Sequence, residues 1–163
     1  MKIIYHCYGG SHSSVLAAAL HLKLIKATSL PSYTELFNLP YFDKTCDADF
    51  GSIRKVGVDE LGNEVFVLGK KDLGTRYNKI LPGLASLIGA NNELLAVDLI
   101  GKINWLMKIG GYSSRKLGLV TLGRFFIFFG TKISFYEIVD LVDRVKKQLD
   151  LRRNNHENTF HWH

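Results

Sequence analysis

The sequence has few cysteines and no long apolar run. Its two cysteines, Cys7 and Cys46, show neither a CxxC spacing nor the short spacings of a disulfide framework, so we predict two reduced thiols in a cytoplasmic protein. The most apolar later run, residues 125–129, is far too short to span a bilayer. The apolar start ends at His6 without a cleavage-type segment, which argues against a signal peptide. We therefore predict no membrane partner.

Length and composition indicate the class of protein. The 163-residue chain is long enough for one domain that buries about two-thirds of the surface of the unfolded chain. Apolar residues make up 47% and charged residues 22%, as in an ordinary soluble protein. We predict a single α/β domain over residues 1–149 and a polar, flexible tail over 150–163. The net charge of +6 favours an acidic partner, although a modest basic excess also keeps a small domain soluble.

Strand and helix patterns alternate along the chain. The predicted strands are 2–7, 53–58, 64–68 and 93–99, and a segment within 118–129 is predicted as the third buried strand after 2–7 and 93–99. The predicted helices are 13–25, 32–39, 72–88, 102–109 and 134–149. Gly110 and Gly111 are predicted to stop the helix 102–109, and Ser134 with Glu137 to cap the helix 134–149. Strands separated by helices predict an α/β fold with three layers and a mostly parallel sheet, Rossmann-like or P-loop-like. Residues 53–68 add one antiparallel hairpin.

Residues 7–14, here called the cysteine loop, leave the first strand and enter the first helix. Gly9 and Gly10 let backbone N–H groups turn toward a ligand, and the start of a helix adds partial positive charge. Three hydroxyl groups in the loop are further donors: Ser11, Ser13 and Ser14. The loop therefore predicts an anion site, and we expect a phosphorylated small molecule or a nucleotide as its ligand.

Two common phosphate-binding motifs are absent from the cysteine loop. A Walker A loop requires GxxxxGK[ST], and no lysine lies between Gly9 and Ser14. The GxGxxG fingerprint of dinucleotide-binding proteins is also missing. These absences argue against the usual P-loop ATP hydrolysis, and the sequence does not identify a cofactor.

The position of the cysteine resembles two known phosphate cradles. One is the CxxxxxR[ST] loop of low-molecular-weight protein tyrosine phosphatases, but Ser13 stands where the arginine should be. The other is the cysteine loop of the cellobiose and lactose class of sugar phosphotransferase subunits, matched by Cys7, Gly10 and Ser14. Both resemblances cover about twenty residues and imply that the Cys7 thiolate accepts a phosphoryl group.

Cys7 and His12 are the candidate catalytic residues of the loop. Cys7 is either a reactive thiol or a small buried hydrophobe at a strand end. His12 is a candidate general base, a group that contacts the anion, or an ordinary loop residue. With a reactive Cys7 we expect phosphoryl transfer or phosphoester hydrolysis. The competing hypothesis is a non-catalytic regulatory or interaction protein that senses an anionic ligand.

Four residues elsewhere are candidate contributors. Asp98, near the end of a buried strand, is predicted to act as a general acid or base, to hold a metal or to orient His12, or else to cap the next helix. Asn104 follows in that helix and is expected to face the same cleft. Arg115 and Arg124 are candidates for binding phosphate and for supplying the charge that the loop lacks. Arg124 lies in an apolar stretch and needs a partner, either the anion or Asp98.

Metal and nucleic acid have weaker support in the sequence. No spacing of histidines and carboxylates predicts a metal site. Nucleic acid as a partner rests on net charge alone. Five basic residues lie on the predicted last helix and tail: Arg144, Lys146, Lys147, Arg152 and Arg153. Such a group of charges more often forms a solvent-exposed helix face than a nucleic-acid site.

Several ordered motifs extend over most of the chain. They are KIIYHCYGGSHSSVLAAALHL at the start, LPYFD at 39–43, DELGNEVFVLG at 59–69 and IGGYSSRKLGLVTLGR at 109–124. Together they resemble an uncharacterised family, a domain of unknown function found in Clostridia and other spore-forming Firmicutes, from Met1 to about Lys147. The resemblance implies a small cytoplasmic bacterial protein and carries no catalytic assignment.

Overall fold

Four strands and three α-helices lie within residues 1–98, and the regular elements in the described residues after them are helical. A computed structural model describes residues 1–102, 104–116 and 120–160. Within these ranges lie nine elements: β1 (Lys2–Cys7), α1 (Ser13–His21), α2 (Tyr33–Asn38), β2 (Ile53–Val58), β3 (Glu64–Gly69), α3 (Tyr77–Leu87), β4 (Leu94–Asp98), α4 (Trp105–Lys116) and α5 (Val120–Phe160). Short 3₁₀ turns precede β2, α3 and α4.

The four strands form one sheet in the order β2-β3-β1-β4. The central strand β1 is parallel to β3, with Cys7 opposite Gly69, and parallel to β4, with His6 opposite Asp98. The strands β2 and β3 form an antiparallel pair. The prediction of a mixed α/β fold with a mostly parallel sheet and one antiparallel hairpin is therefore confirmed.

Helices pack on both faces of the sheet. Successive side chains of a strand point to opposite faces. Ile3 and Tyr5 join the core that includes residues of α1 and α5, while Ile4 and Leu68 pack with Leu81 of α3 on the other face. Complete burial of one such side chain stabilises the fold by about 1.5–3 kcal/mol, so the central strand is held from both sides.

The predicted third strand within 118–129 and the predicted helix start at Ser134 are wrong. From Val120 onward the chain is the single helix α5, and Ser134 lies inside it. Seven buried residues of this helix recur every three or four positions, which is helical spacing: Ile127, Thr131, Phe135, Ile138, Val142, Val145 and Leu149. The helix extends into the segment after residue 149, and the flexibility of that tail stays a prediction.

The predicted end of a helix at Gly110 is also wrong, because α4 continues through it to Lys116. A Cβ atom at Gly110 would lie 2.7 Å from the carbonyl oxygen of Gly123 in α5. Gly110 therefore permits close packing of two helices instead of ending one. Among the described residues, we find no helix with both the length and the apolar character needed to cross a membrane.

Candidate functional site

The chain leaves the neighbouring strands β1 and β3 toward opposite faces of the sheet. After β1 it enters α1, which packs on the face that carries Tyr5. After β3 it reaches α3, which packs on the face that carries Leu68. Open α/β sheets bind ligands outside the carboxyl ends of two neighbouring strands when the segments after these strands leave toward opposite faces. The cysteine loop lies at this position.

The turn at Gly9 and Gly10 lies directly against the end of β3. A Cβ atom on Gly10 would lie 2.8 Å from the Cα atom of Gly69, and one on Gly69 would lie 2.8 Å from the carbonyl oxygen of Gly9. Gly10 also has a φ of +62°, in the left-handed region that favours glycine. The Lys70 N–H donates to the carbonyl oxygen of Cys7 at 3.0 Å. The loop is thus packed, backbone on backbone, against the adjacent strand.

The thiol of Cys7 lies between the loop and the first turn of α1. The Gly10 N–H donates to Sγ at 3.2 Å, and Ser14 Oγ lies 3.3 Å from Sγ. Cys7 is 2% exposed, whereas Cys46 is exposed. The structure therefore brings together Cys7, Gly10 and Ser14, the three positions that carry the resemblance to the phosphotransferase loop.

Two carbonyl groups of the loop are held by partners outside it. Arg54 Nη2 donates to the carbonyl oxygen of Gly10 at 2.9 Å, and the Asp43 N–H donates to that of Ser11 at 3.1 Å. In a trans peptide the C=O and the following N–H point in opposite directions. The N–H groups of Ser11 and His12 therefore point away from these partners.

The start of α1 has no side-chain cap. His12 occupies the N-cap position, and no side-chain cap hydrogen bond forms there. Ser13, the first residue of the helix, is fully buried, and its Oγ has no hydrogen-bond partner among the described residues. The first N–H groups of a helix lack partners within the helix and carry partial positive charge. A buried helix start with an unpaired hydroxyl is suited to an anion.

Asp43 joins His12 to Arg124. Its Oδ1 lies 3.2 Å from His12 Nε2, and its Oδ2 accepts a hydrogen bond from Arg124 Nε at 3.2 Å. Burial raises the pKa of Asp43, but the hydrogen bonds and charges of His12 and Arg124 outweigh burial and hold this pKa below its usual value. The sequence analysis did not single out Asp43, which bonds to residues far away in the chain.

Asp98 lies on the opposite face of the sheet from His12. Its Oδ2 accepts hydrogen bonds from Lys70 Nζ and Asn78 Nδ2, both at 2.8 Å, and its Oδ1 accepts one from the Ile100 N–H at 2.9 Å. Burial raises the pKa of Asp98, but these hydrogen bonds, that of Lys70 first, bring it below its usual value. The bond to Ile100 holds the turn that follows β4, and the roles predicted for Asp98 in catalysis or helix capping stay predictions.

His6 and Lys70 complete this second cluster, and the sequence analysis missed both. The Lys70 side chain is fully buried, and His6 Nδ1 lies 3.7 Å from Asp98 Oδ1. Burial, together with the charge of Lys70, lowers the pKa of His6 to about 4, so His6 is neutral at pH 7. A lysine directly after β3, at the carboxyl edge of the sheet, was the signal that could have pointed to this cluster.

The remaining predicted site residues lie elsewhere. Asn104 Nδ2 donates to the carbonyl oxygen of Gly130 and to Ser134 Oγ, and its Oδ1 accepts from the Met107 N–H. Asn104 thus lies directly before α4, accepts a hydrogen bond from its first turn and links α4 to α5 by hydrogen bonds. The side chain of Arg115 lies outside the described residues. A ligand-binding role of either residue stays a prediction.

Comparison with known families covers almost the whole chain. Residues 2–147 match the family model described as "Protein of unknown function (DUF3189)". The chain belongs to this family. Neither a curated protein nor a solved structure matches this DUF3189 protein. Membership agrees with the resemblance to an uncharacterised family, and it brings no activity to the chain.

In this DUF3189 protein the close approach of the loop to β3 predicts that Gly10→Ala is strongly destabilising. We expect the free energy of unfolding to fall by about 3 kcal/mol or more, of which the left-handed backbone accounts for ~1–2 kcal/mol and the clash with Gly69 for the rest. Urea unfolding followed by circular dichroism measures the loss.

Gly62→Ala is the matched control for this experiment. Gly62 has a φ of +79°, and a Cβ atom there would meet open space. Its substitution keeps the backbone strain and removes the clash, so we expect a loss of about 1–2 kcal/mol. Equal losses in the two variants would contradict the close packing of the loop on Gly69.

Proposed function

We propose that this protein binds a phosphorylated small molecule or a nucleotide at the cysteine loop. The observation that carries the proposal is the buried start of α1, which lacks a side-chain cap and contains the unpaired hydroxyl of Ser13. A phosphate oxygen would accept from this hydroxyl and from N–H groups of the first turn, which have no acceptor within the helix. The orientation of the Ser11 and His12 N–H groups supports the same ligand class.

The architecture supports the proposed location. Helices on both faces of a mostly parallel sheet, and a glycine loop between β1 and α1, are features of Rossmann-like and P-loop-like folds. We infer that this protein has a fold of that kind. Its ligand then lies beyond the carboxyl end of β1, next to Gly10.

Phosphoryl transfer to Cys7 is the chemistry that we propose for an enzyme at this site. Sγ would attack phosphorus, an S–P bond would form, and the P–O bond to the leaving group would break. The proton of the thiol would leave, and the leaving oxygen would take up a proton. His12, held by Asp43, is the candidate proton carrier. Asp98, on the other face, has no part in this proposal.

A non-catalytic sensor of an anionic ligand is the second candidate. The observation that favours it is the burial of Cys7, which is 2% exposed. A phosphate donor reaches Sγ only after the loop has moved. In this candidate the Gly10 N–H and Ser14 Oγ contacts of Cys7 hold the loop together without any reaction at sulfur.

Calorimetric titration with inorganic phosphate, a sugar phosphate and a nucleoside monophosphate tests the binding site. We expect saturable binding by the wild type and an affinity about two- to tenfold lower in Ser13→Ala, the usual effect of one lost hydrogen bond. Ser52→Ala, at an exposed position, is the control and leaves the affinity unchanged. If none of the three probes binds saturably to the wild type, the proposal is wrong.

Mass spectrometry after incubation with acetyl phosphate separates the two candidates. Transfer to Cys7 predicts a phosphorylated protein whose modification is lost in Cys7→Ser and kept in Cys46→Ser, because Cys46 lies outside the loop. The sensor predicts unmodified Cys7 together with ligand binding that survives in Cys7→Ser. A modification on Cys46 alone would contradict the role of the loop in catalysis.

A further inference from the structure

The cysteine loop contains no positively charged side chain of its own. Residues 7–14 include neither lysine nor arginine. Two cations near the carboxyl edge of the sheet already have carboxylate partners: Arg124 lies against Asp43, and Lys70 against Asp98. A third basic side chain, Arg54, pairs with Asp49 at 3.6 Å and also donates to the loop itself.

Arg54 of β2 reaches the loop from the neighbouring hairpin. Its register partner in β3 is Val67, which belongs to the same core as Cys7, so Arg54 lies on the face of the sheet that carries the loop. Arg54 Nη2 donates to the carbonyl oxygen of Gly10 at 2.9 Å and to Thr45 Oγ1 at 2.8 Å. The guanidinium is thus attached to the loop backbone.

The other two nitrogens of the Arg54 guanidinium are less firmly held. Its Nε is buried and has no hydrogen-bond partner in the part of the chain that the structure describes. Nη1 lies 3.6 Å from Asp49 Oδ2, too far for a hydrogen bond, and the ring of Tyr41 lies 4.7 Å from the guanidinium carbon. The firm contacts of Arg54 are therefore the two Nη2 hydrogen bonds to Gly10 and Thr45.

The bond from Arg54 also determines which way the next peptide N–H points. Because Arg54 holds the Gly10 carbonyl oxygen, the planar trans peptide directs the Ser11 N–H to the opposite side. Rotation of this peptide would turn a carbonyl oxygen toward the ligand in place of an N–H. An anion would then meet a partial negative charge.

We propose that Arg54 is the positioning residue of the anion site. It keeps the Gly10 carbonyl away from the ligand and the Ser11 N–H toward it. Its own positive charge lies on the carbonyl side of this peptide. The inference rests on the proposed function and assigns control of the loop backbone to a strand outside the loop. The arginine candidates of the sequence analysis were Arg115 and Arg124.

Titration of ¹⁵N-labelled protein with inorganic phosphate, followed by NMR, tests this role. We expect Arg54→Gln to bind phosphate about tenfold more weakly or worse, since the Gly10 carbonyl loses its charge-assisted hydrogen bond and the peptide is no longer held, and Arg54→Lys to be intermediate. We also expect the Ser11 amide resonance of Arg54→Gln to be displaced before phosphate is added. Lys55→Gln, the next residue of β2, removes the same charge from a side chain paired with Glu64 and should stay within about twofold of the wild type.

Each outcome decides between the proposals. Equal affinities of the wild type and Arg54→Gln would overturn this inference and leave the proposed function standing. Weaker binding with an unmoved Ser11 resonance would overturn the positioning role. Absence of saturable binding by the wild type would overturn both proposals. If Arg54→Gln does not fold, an unchanged affinity and an unchanged Ser11 resonance in Arg54→Lys would overturn the inference.

Discussion

The contact between the turn at Gly9 and Gly10 and the end of β3 at Gly69 is the constraint on which the candidate site depends. Two backbones approach each other there because neither Gly10 nor Gly69 carries a Cβ atom. The contact places the Gly10 N–H on the Cys7 sulfur and the Gly10 carbonyl on Arg54. The loop geometry therefore depends on the pairing of β1 with β3.

Buried charges around the loop occur in pairs. Asp43 lies with His12 and Arg124 on one face of the sheet, and Asp98 lies with Lys70 on the other. Lys70 is fully buried, so breaking its pair with Asp98 would leave an uncompensated buried charge, and this pair helps to hold the loop after β4 in place. Among the described residues of the loop, Ser13 Oγ is a buried hydroxyl without a hydrogen-bond partner, and a hydroxyl can donate. A site with spare donors is suited to an acceptor-rich ligand such as phosphate.

Local sequence patterns were sufficient to predict the strand and helix on either side of the cysteine loop. The features that the sequence analysis missed, the helix α5 and the Arg54 contact, depend on packing between distant parts of the chain. A β-branched strand, a glycine and serine loop and an alanine-rich helix follow one another within 2–21, so β1, the loop and α1 could be predicted. The start of α5 is rich in β-branched and aromatic residues, which favour a strand locally, and its packing against α4 through Gly110 and Gly123 makes it a helix. Arg54 lies 44 residues from Gly10 in the chain, so a sequence pattern could not reveal their contact.

The most direct measurement is the anomalous difference density of crystals grown with tungstate, a heavy-atom analogue of phosphate. Our account predicts one strong peak within hydrogen-bond distance of the N–H groups at residues 11–13, on the side of the loop where the Ser13 hydroxyl lacks a partner. Peaks confined to surface lysines, or a loop without any peak at saturating tungstate, would contradict it.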